Sequence, residues 1–73
     1  MERKPVMSSN LRSVGYDEEK KVLEIEFNSG HVYQYSNVES SRYEGLMTAQ
    51  SHGTYFDRNI KKNAGIYPCV RIK

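Results

Sequence analysis

The stretch from Val22 to Tyr35 constrains this fold more than any other part of the chain. In Leu23-Glu24-Ile25-Glu26-Phe27 apolar residues alternate strictly with glutamates. A period of two is that of a half-buried antiparallel strand. Asn28-Ser29-Gly30 follows, and Asn and Gly tolerate the positive φ of a tight turn. His31-Val32-Tyr33-Gln34-Tyr35 then supplies aromatic and β-branched residues for a returning strand. The expectation is a β-hairpin with Leu23, Ile25 and Phe27 on one face and Glu24 and Glu26 on a wet face. Tyr33 and Tyr35 share one face of the second strand, and the pairing register decides whether they join the apolar side.

A hairpin alone is not stable in water and needs further strands and a cover. Leu11 to Tyr16 reads as a preceding strand, with Val14 and Tyr16 on one face and Gly15 marking a bulge. The cover follows the hairpin. Glu39 to Gln50 carries Tyr43, Leu46, Met47 and Gln50 at helical spacing. Ser36 with Glu39 matches a capping box, and Ser41 with Glu44 competes with it. Gly45 inside this helix either permits a close approach to the sheet or is simply tolerated. Gly53 reads as a left-handed stop. A second helix is expected from Thr54 to Lys62, capped by Thr54, with Phe56 and Ile60 buried. The tail from Ile66 to Ile72 alternates again, with Ile66, Val70 and Ile72 on one side. Pro68 lacks an N–H and confines the tail to a sheet edge. The expected class is α+β: a three-stranded antiparallel meander covered by two helices, with a C-terminal edge strand.

Seventy-three residues suffice for a single small domain, spanning 1–73. Such a chain has no room for a buried active-site cavity, but it can carry a surface groove. Net charge is +2, unevenly distributed: residues 1–15 carry +2, residues 16–45 carry −4 and residues 46–73 carry +4. The lone Cys69 cannot form an intramolecular disulfide, and MERKPVMSS lacks the apolar run of a secretory signal. No apolar stretch is long enough for a membrane span, so a cytoplasmic setting is expected.

Little in the sequence points to catalysis. His31, His52 and Cys69 are the only soft ligands and lack metal-ligand spacing, so neither a metal nor another cofactor is expected. Ser51 and His52 are adjacent, without a nucleophile elbow. They read as satisfying free backbone groups where two helices meet. Glu24 and Glu26 have no apolar pocket to raise a pKa. The candidate binding residues are Arg58, Lys61 and Lys62, with Tyr33, Tyr35 and His52. The three cations are neighbours at spacings of three and four, with Arg71 and Lys73 further on, and form either a phosphate-reading stripe or a solvated face. Tyr33 and Tyr35 are either core residues or a stacking platform for single-stranded nucleic acid.

Taken together, several short motifs resemble the KTSC domain, a family named after the C-terminus of some lysyl-tRNA synthetases. They are Pro5-Val6, Ser8-Ser9, Val14-Gly15-Tyr16-Asp17, Leu23 to Phe27 with Ser29-Gly30, and Val32-Tyr33-Gln34-Tyr35. Tyr43 to Met47, Ala49, Ser51-His52-Gly53, Tyr55 and Asn59-Ile60-Lys61 complete the set. The resemblance covers residues 5–67. It departs at Glu39, where the family often has Pro, and in the tail from Asn63 to Lys73. It implies a compact stand-alone or appended domain without an established activity, and the family's name points towards RNA. Three functions follow as expectations. The first is a non-enzymatic binding module for RNA, tRNA or the protein it accompanies. The second is a protein-interaction or assembly module without a nucleic-acid role. The third is a small enzyme centred on Ser51 and His52.

Overall fold

A computed structural model describes residues 1–73. Five antiparallel strands form one sheet in sequential order: β1 (Arg3–Pro5), β2 (Leu11–Asp17), β3 (Val22–Phe27), β4 (Val32–Tyr35) and β5 (Cys69–Arg71). Two helices, α1 (Ser40–Thr48) and α2 (His52–Asn59), lie between β4 and β5, and a 3-10 turn over Lys61–Asn63 follows α2. The α+β class agrees with the sequence, but the sheet has five strands rather than a three-stranded meander with a separate edge strand. The additional strand β1 pairs Arg3 with Gly15. Gly15 carries no bulge. A Cβ there would stand 2.9 Å from the Glu2 carbonyl oxygen, so the missing side chain lets β1 approach. The bulge lies between Leu11 and Ser13.

The register settles the face of the tyrosines. Leu23 stands opposite Tyr35 and Ile25 opposite Tyr33, and directly opposed residues share a face. Tyr33 and Tyr35 therefore lie on the helix side. There Leu11, Val14, Leu23, Ile25 and Tyr35 meet Val38, Leu46, Phe56, Ile60 and Tyr67 in one buried cluster. Removing these side chains from water is the main favourable term for a domain of this size.

The opposite face is not the wet face expected. Glu24 is only 5% exposed. Arg3 Nη1 donates to Glu24 Oε2 at 2.5 Å and Gln34 Nε2 donates to Oε1 at 2.9 Å. Arg3 Nε also donates to Ser13 Oγ, which donates to Glu26 Oε1. A polar ladder thus crosses four strands and compensates the charge it buries. Strand β1 forms although it lacks apolar alternation, because Arg3 completes this ladder.

Helix boundaries also differ from expectation. Helix α1 begins after Glu39, and neither capping box forms, since the Glu39 side chain makes no cap bond. Ser36 N–H instead donates to the Pro68 carbonyl, and Asn37 turns the chain at φ 63°. Glu39 instead accepts a hydrogen bond from Tyr67 Oη at 2.6 Å and pairs with Arg42. Arg42 also donates to Tyr67 Oη and Asn59 Oδ1, tying α1 to α2 and the tail. Gln50 is exposed rather than part of the apolar stripe. Gly45 serves a close approach, but of Tyr55 from α2 and not of the sheet. Gly53 is no helix stop: it lies buried inside α2, which is capped by Ser51 and not by Thr54. The tail forms a strand only over Cys69–Arg71, and Ile66, Val70 and Ile72 are all exposed. No helix is long and apolar enough to cross a membrane.

Candidate functional site

The helices leave part of the inner sheet face uncovered at the β3–β4 hairpin end. Phe27 follows Ile25 by two residues and so shares the inner face with Tyr33. Their rings meet edge-on with centroids 5.7 Å apart. Phe56 meets Phe27 and Tyr35 in the same manner, at 5.7 and 5.2 Å. Over these rings lies an open groove of about 440 Å³, with Phe27, His31, Tyr33 and Tyr35 along it and Lys61 and the Ser9–Asn10 loop at its margins. Tyr35 is almost wholly buried and forms the floor. Its hydroxyl is pushed up to about 12, first by burial and then by the neighbouring Cys69 thiol and Tyr33 phenol. Tyr33 is half-buried, His31 is exposed, and Arg71 stands opposite Tyr33 on β5.

The loop between β1 and β2 is held from both sides. Asn28, at the hairpin turn, donates through Nδ2 to the carbonyls of Ser8 and Ser9, and its N–H donates to the Asn10 carbonyl. Ser8 Oγ accepts from the N–H groups of Asn10 and Leu11 and donates to Asn10 Oδ1. On the far side α2 presses against the loop through Gly53, where any Cβ would overlap Asn10 Oδ1 and stand 3.1 Å from Ser8 Oγ. The loop is thus a ridge. Beyond it lies a second, polar groove of about 560 Å³, lined by Ser51, Thr54, Asp57, Arg58 and Lys62 together with the same Ser9 and Asn10.

The six candidate residues are therefore divided. Tyr33, Tyr35 and Lys61 meet at the aromatic groove, while Arg58 and Lys62 meet at the polar one. They do not form one helical stripe, because α2 ends at Asn59 and Lys61 and Lys62 belong to the 3-10 turn. His52 lines neither groove; its Nδ1 lies 2.8 Å from the Leu46 carbonyl at the helix junction. Ser51 Oγ accepts from Thr54 N–H and donates to Thr54 Oγ1. Both side chains are engaged with the junction between α1 and α2, as their positions in the sequence suggested. No three His, Cys, Asp or Glu side chains converge as a metal site. Sequence reasoning missed Phe27 and the Ser9–Asn10 ridge as parts of the site. The shared face of Phe27 and Tyr33 follows from hairpin parity, whereas the ridge arises only from tertiary contacts.

Comparison with known proteins gives consistent results. The family model described as KTSC domain matches residues 7–63. A protein of Stutzerimonas stutzeri described as uncharacterised is 43% identical over 61 residues, which cover 84% of this chain and 86% of that protein. A lysine–tRNA ligase of Nostoc punctiforme is 40% identical over 53 residues, 73% of this chain but 9% of the ligase. The crystal structure of a KTSC domain protein from Yersinia pestis superposes with a TM-score of 0.91 at 38% identity. That match covers 99% of this chain and 97% of the other.

Proposed function

The chain belongs to the KTSC domain family, and we propose that it is a non-enzymatic module that binds single-stranded RNA in the aromatic groove. The observation that carries this reading is the groove itself. Phe27, His31 and Tyr33 offer ring surface beside Lys61, and Arg71 is the cross-strand neighbour of Tyr33. Flat π surface next to cations is what unpaired bases and their phosphates require. A duplex keeps its bases stacked and offers no free faces to such a groove. The net charge of +4 over residues 46–73 favours a polyanion. The similarity to a small part of a lysine–tRNA ligase, a protein named for tRNA, is in keeping with this reading. A cytoplasmic setting belongs to the same proposal.

The test is a titration of labelled oligouridylate, tRNA, single-stranded DNA and duplex at several salt concentrations. Single strands should bind more tightly than duplex. Tyr33→Ala should weaken binding by about tenfold, within the range for one lost base stack. Absence of binding at ~20 mM salt, where screening is weak, or equal binding of duplex, would contradict the proposal. A protein-interaction role draws on a different observation: Val70 and Ile72 are 65% and 48% exposed at the β5 edge. Val70→Ser would weaken partner binding under that reading and leave RNA binding unchanged under ours.

A further inference from the structure

We infer that the polar groove beyond the Ser9–Asn10 ridge holds backbone phosphate, so that a bound strand crosses the ridge with a base in the aromatic groove on one side. This inference rests on the reading of the aromatic groove as a single-strand site. Three observations support it. The grooves are contiguous, because Ser9 and Asn10 line both. The polar groove has no hydrophobic side chain along it, and carries Arg58 and Lys62 against the single carboxylate Asp57.

The third observation is the state of its hydrogen-bonding groups. Asp57 already faces Lys62 at 3.7 Å. Ser51 Oγ is used in both directions by Thr54, and Asn10 Oδ1 accepts from Ser8. The Asn10 Nδ2 amide, the Arg58 guanidinium and the Ser9 hydroxyl have no partner inside the chain, and the Thr54 hydroxyl accepts from Ser51 and keeps its proton free. Two cations against one paired carboxylate, with amide and hydroxyl donors beside them, select an anion with several acceptor oxygens, which describes a phosphodiester. The ridge, braced by Asn28 and Gly53, keeps the two halves at a fixed separation. Two fixed half-sites lose less freedom on binding than a flexible pair.

The test uses a short oligouridylate and a matched strand with an uncharged backbone, read by anisotropy between about 0.05 and 0.2 M salt. Three phosphate contacts, from Lys61, Arg58 and Lys62, predict a slope of log K against log salt near −2 for a single strand. In Arg58→Ala/Lys62→Ala the slope should flatten to about −0.7, and affinity at ~0.1 M salt should fall about 25-fold. Both proteins should bind the uncharged strand alike. Arg58 and Lys62 are exposed, so the fold should survive; Arg58→Gln/Lys62→Gln keeps the first three carbons of each side chain and removes the charge if it does not. If the unmutated protein binds in a Tyr33-dependent way but neither double variant changes slope or affinity, the phosphate groove is refuted and the aromatic reading stands. If the unmutated protein binds no single strand, the aromatic reading itself fails and this inference with it.

Discussion

Replacing Ser51 with alanine removes the only side-chain cap on α2. Ser51 Oγ accepts the Thr54 N–H at 3.2 Å and donates to Thr54 Oγ1 at 2.9 Å. The first N–H groups of a helix have no intrahelical partner, so the loss of a serine cap costs about 1 kcal/mol. Helix α2 carries Phe56, and Ile60 follows it directly, both almost fully buried, so its fraying is coupled to the core. For 73 residues the entropy of unfolding is about 0.15 kcal/mol/K, so the melting temperature should fall by about 6 °C. Ser51→Thr retains the cap and should restore most of it. The assay is thermal unfolding by circular dichroism, with oligouridylate binding measured below the transition. A Ser51→Ala protein with an unchanged melting temperature would refute the structural role of Ser51.

Three further perturbations examine other parts of the account. Arg3→Ala leaves the buried Glu24 without its cation and should cost about 1–3 kcal/mol in urea unfolding, with Glu24→Gln in the same chain recovering part of it; an unchanged midpoint would mean that β1 contributes nothing. The Tyr35 hydroxyl is raised to about 12 in the folded state from an ordinary value of 10. The folded protein therefore holds this proton more firmly than the unfolded chain. Its stability contribution is complete below pH ~10 and is lost as pH rises towards 12, by about 2–3 kcal/mol. Tyr35→Phe should reduce this alkaline loss when unfolding is followed at pH 9 and 11, and an identical loss in the variant would contradict the assignment. Gly53→Ala must displace Asn10 on the order of 1 Å to restore ordinary contact. The displaced group is an exposed side chain, so RNA affinity should fall while melting changes by only a few degrees; intact affinity would show that the ridge is not part of the site.

The parts of the fold legible in the sequence are those set by local periodicity. The β3–β4 hairpin could be read because Leu23, Ile25 and Phe27 alternate and Asn28-Ser29-Gly30 supplies the turn. The helices could be read because Tyr43, Leu46 and Met47 recur at helical spacing, as do Phe56 and Ile60. Strand β1 could not be read, because Arg3-Lys4-Pro5 has no apolar residue to alternate and is held by charge pairing with a glutamate 21 residues away. A glutamate in mid-strand reads as solvated, since sequence alone does not tell an exposed carboxylate from one covered by an arginine. The capping box expected before α1 is absent for a related reason. Ser36 has its N–H bonded by Pro68, far along the chain, so a local capping pattern lost to a tertiary contact. Of the site, the tyrosines and basic residues were visible by type. Their division between two grooves was not, because it depends on the Ser9–Asn10 ridge, which local propensity does not encode.

If the hairpin end and the ridge form one nucleic-acid site, residue-resolved NMR with oligouridylate should map it onto both grooves. Perturbations are expected at His31, Tyr33 and Lys61 on one side of the ridge, at Ser9 and Asn10 on it, and at Thr54, Arg58 and Lys62 beyond it. The outer sheet residues Glu24, Val32 and Gln34 should remain unmoved. Perturbations centred on that outer face or on the β5 edge, with Tyr33 and Arg58 silent, would contradict it.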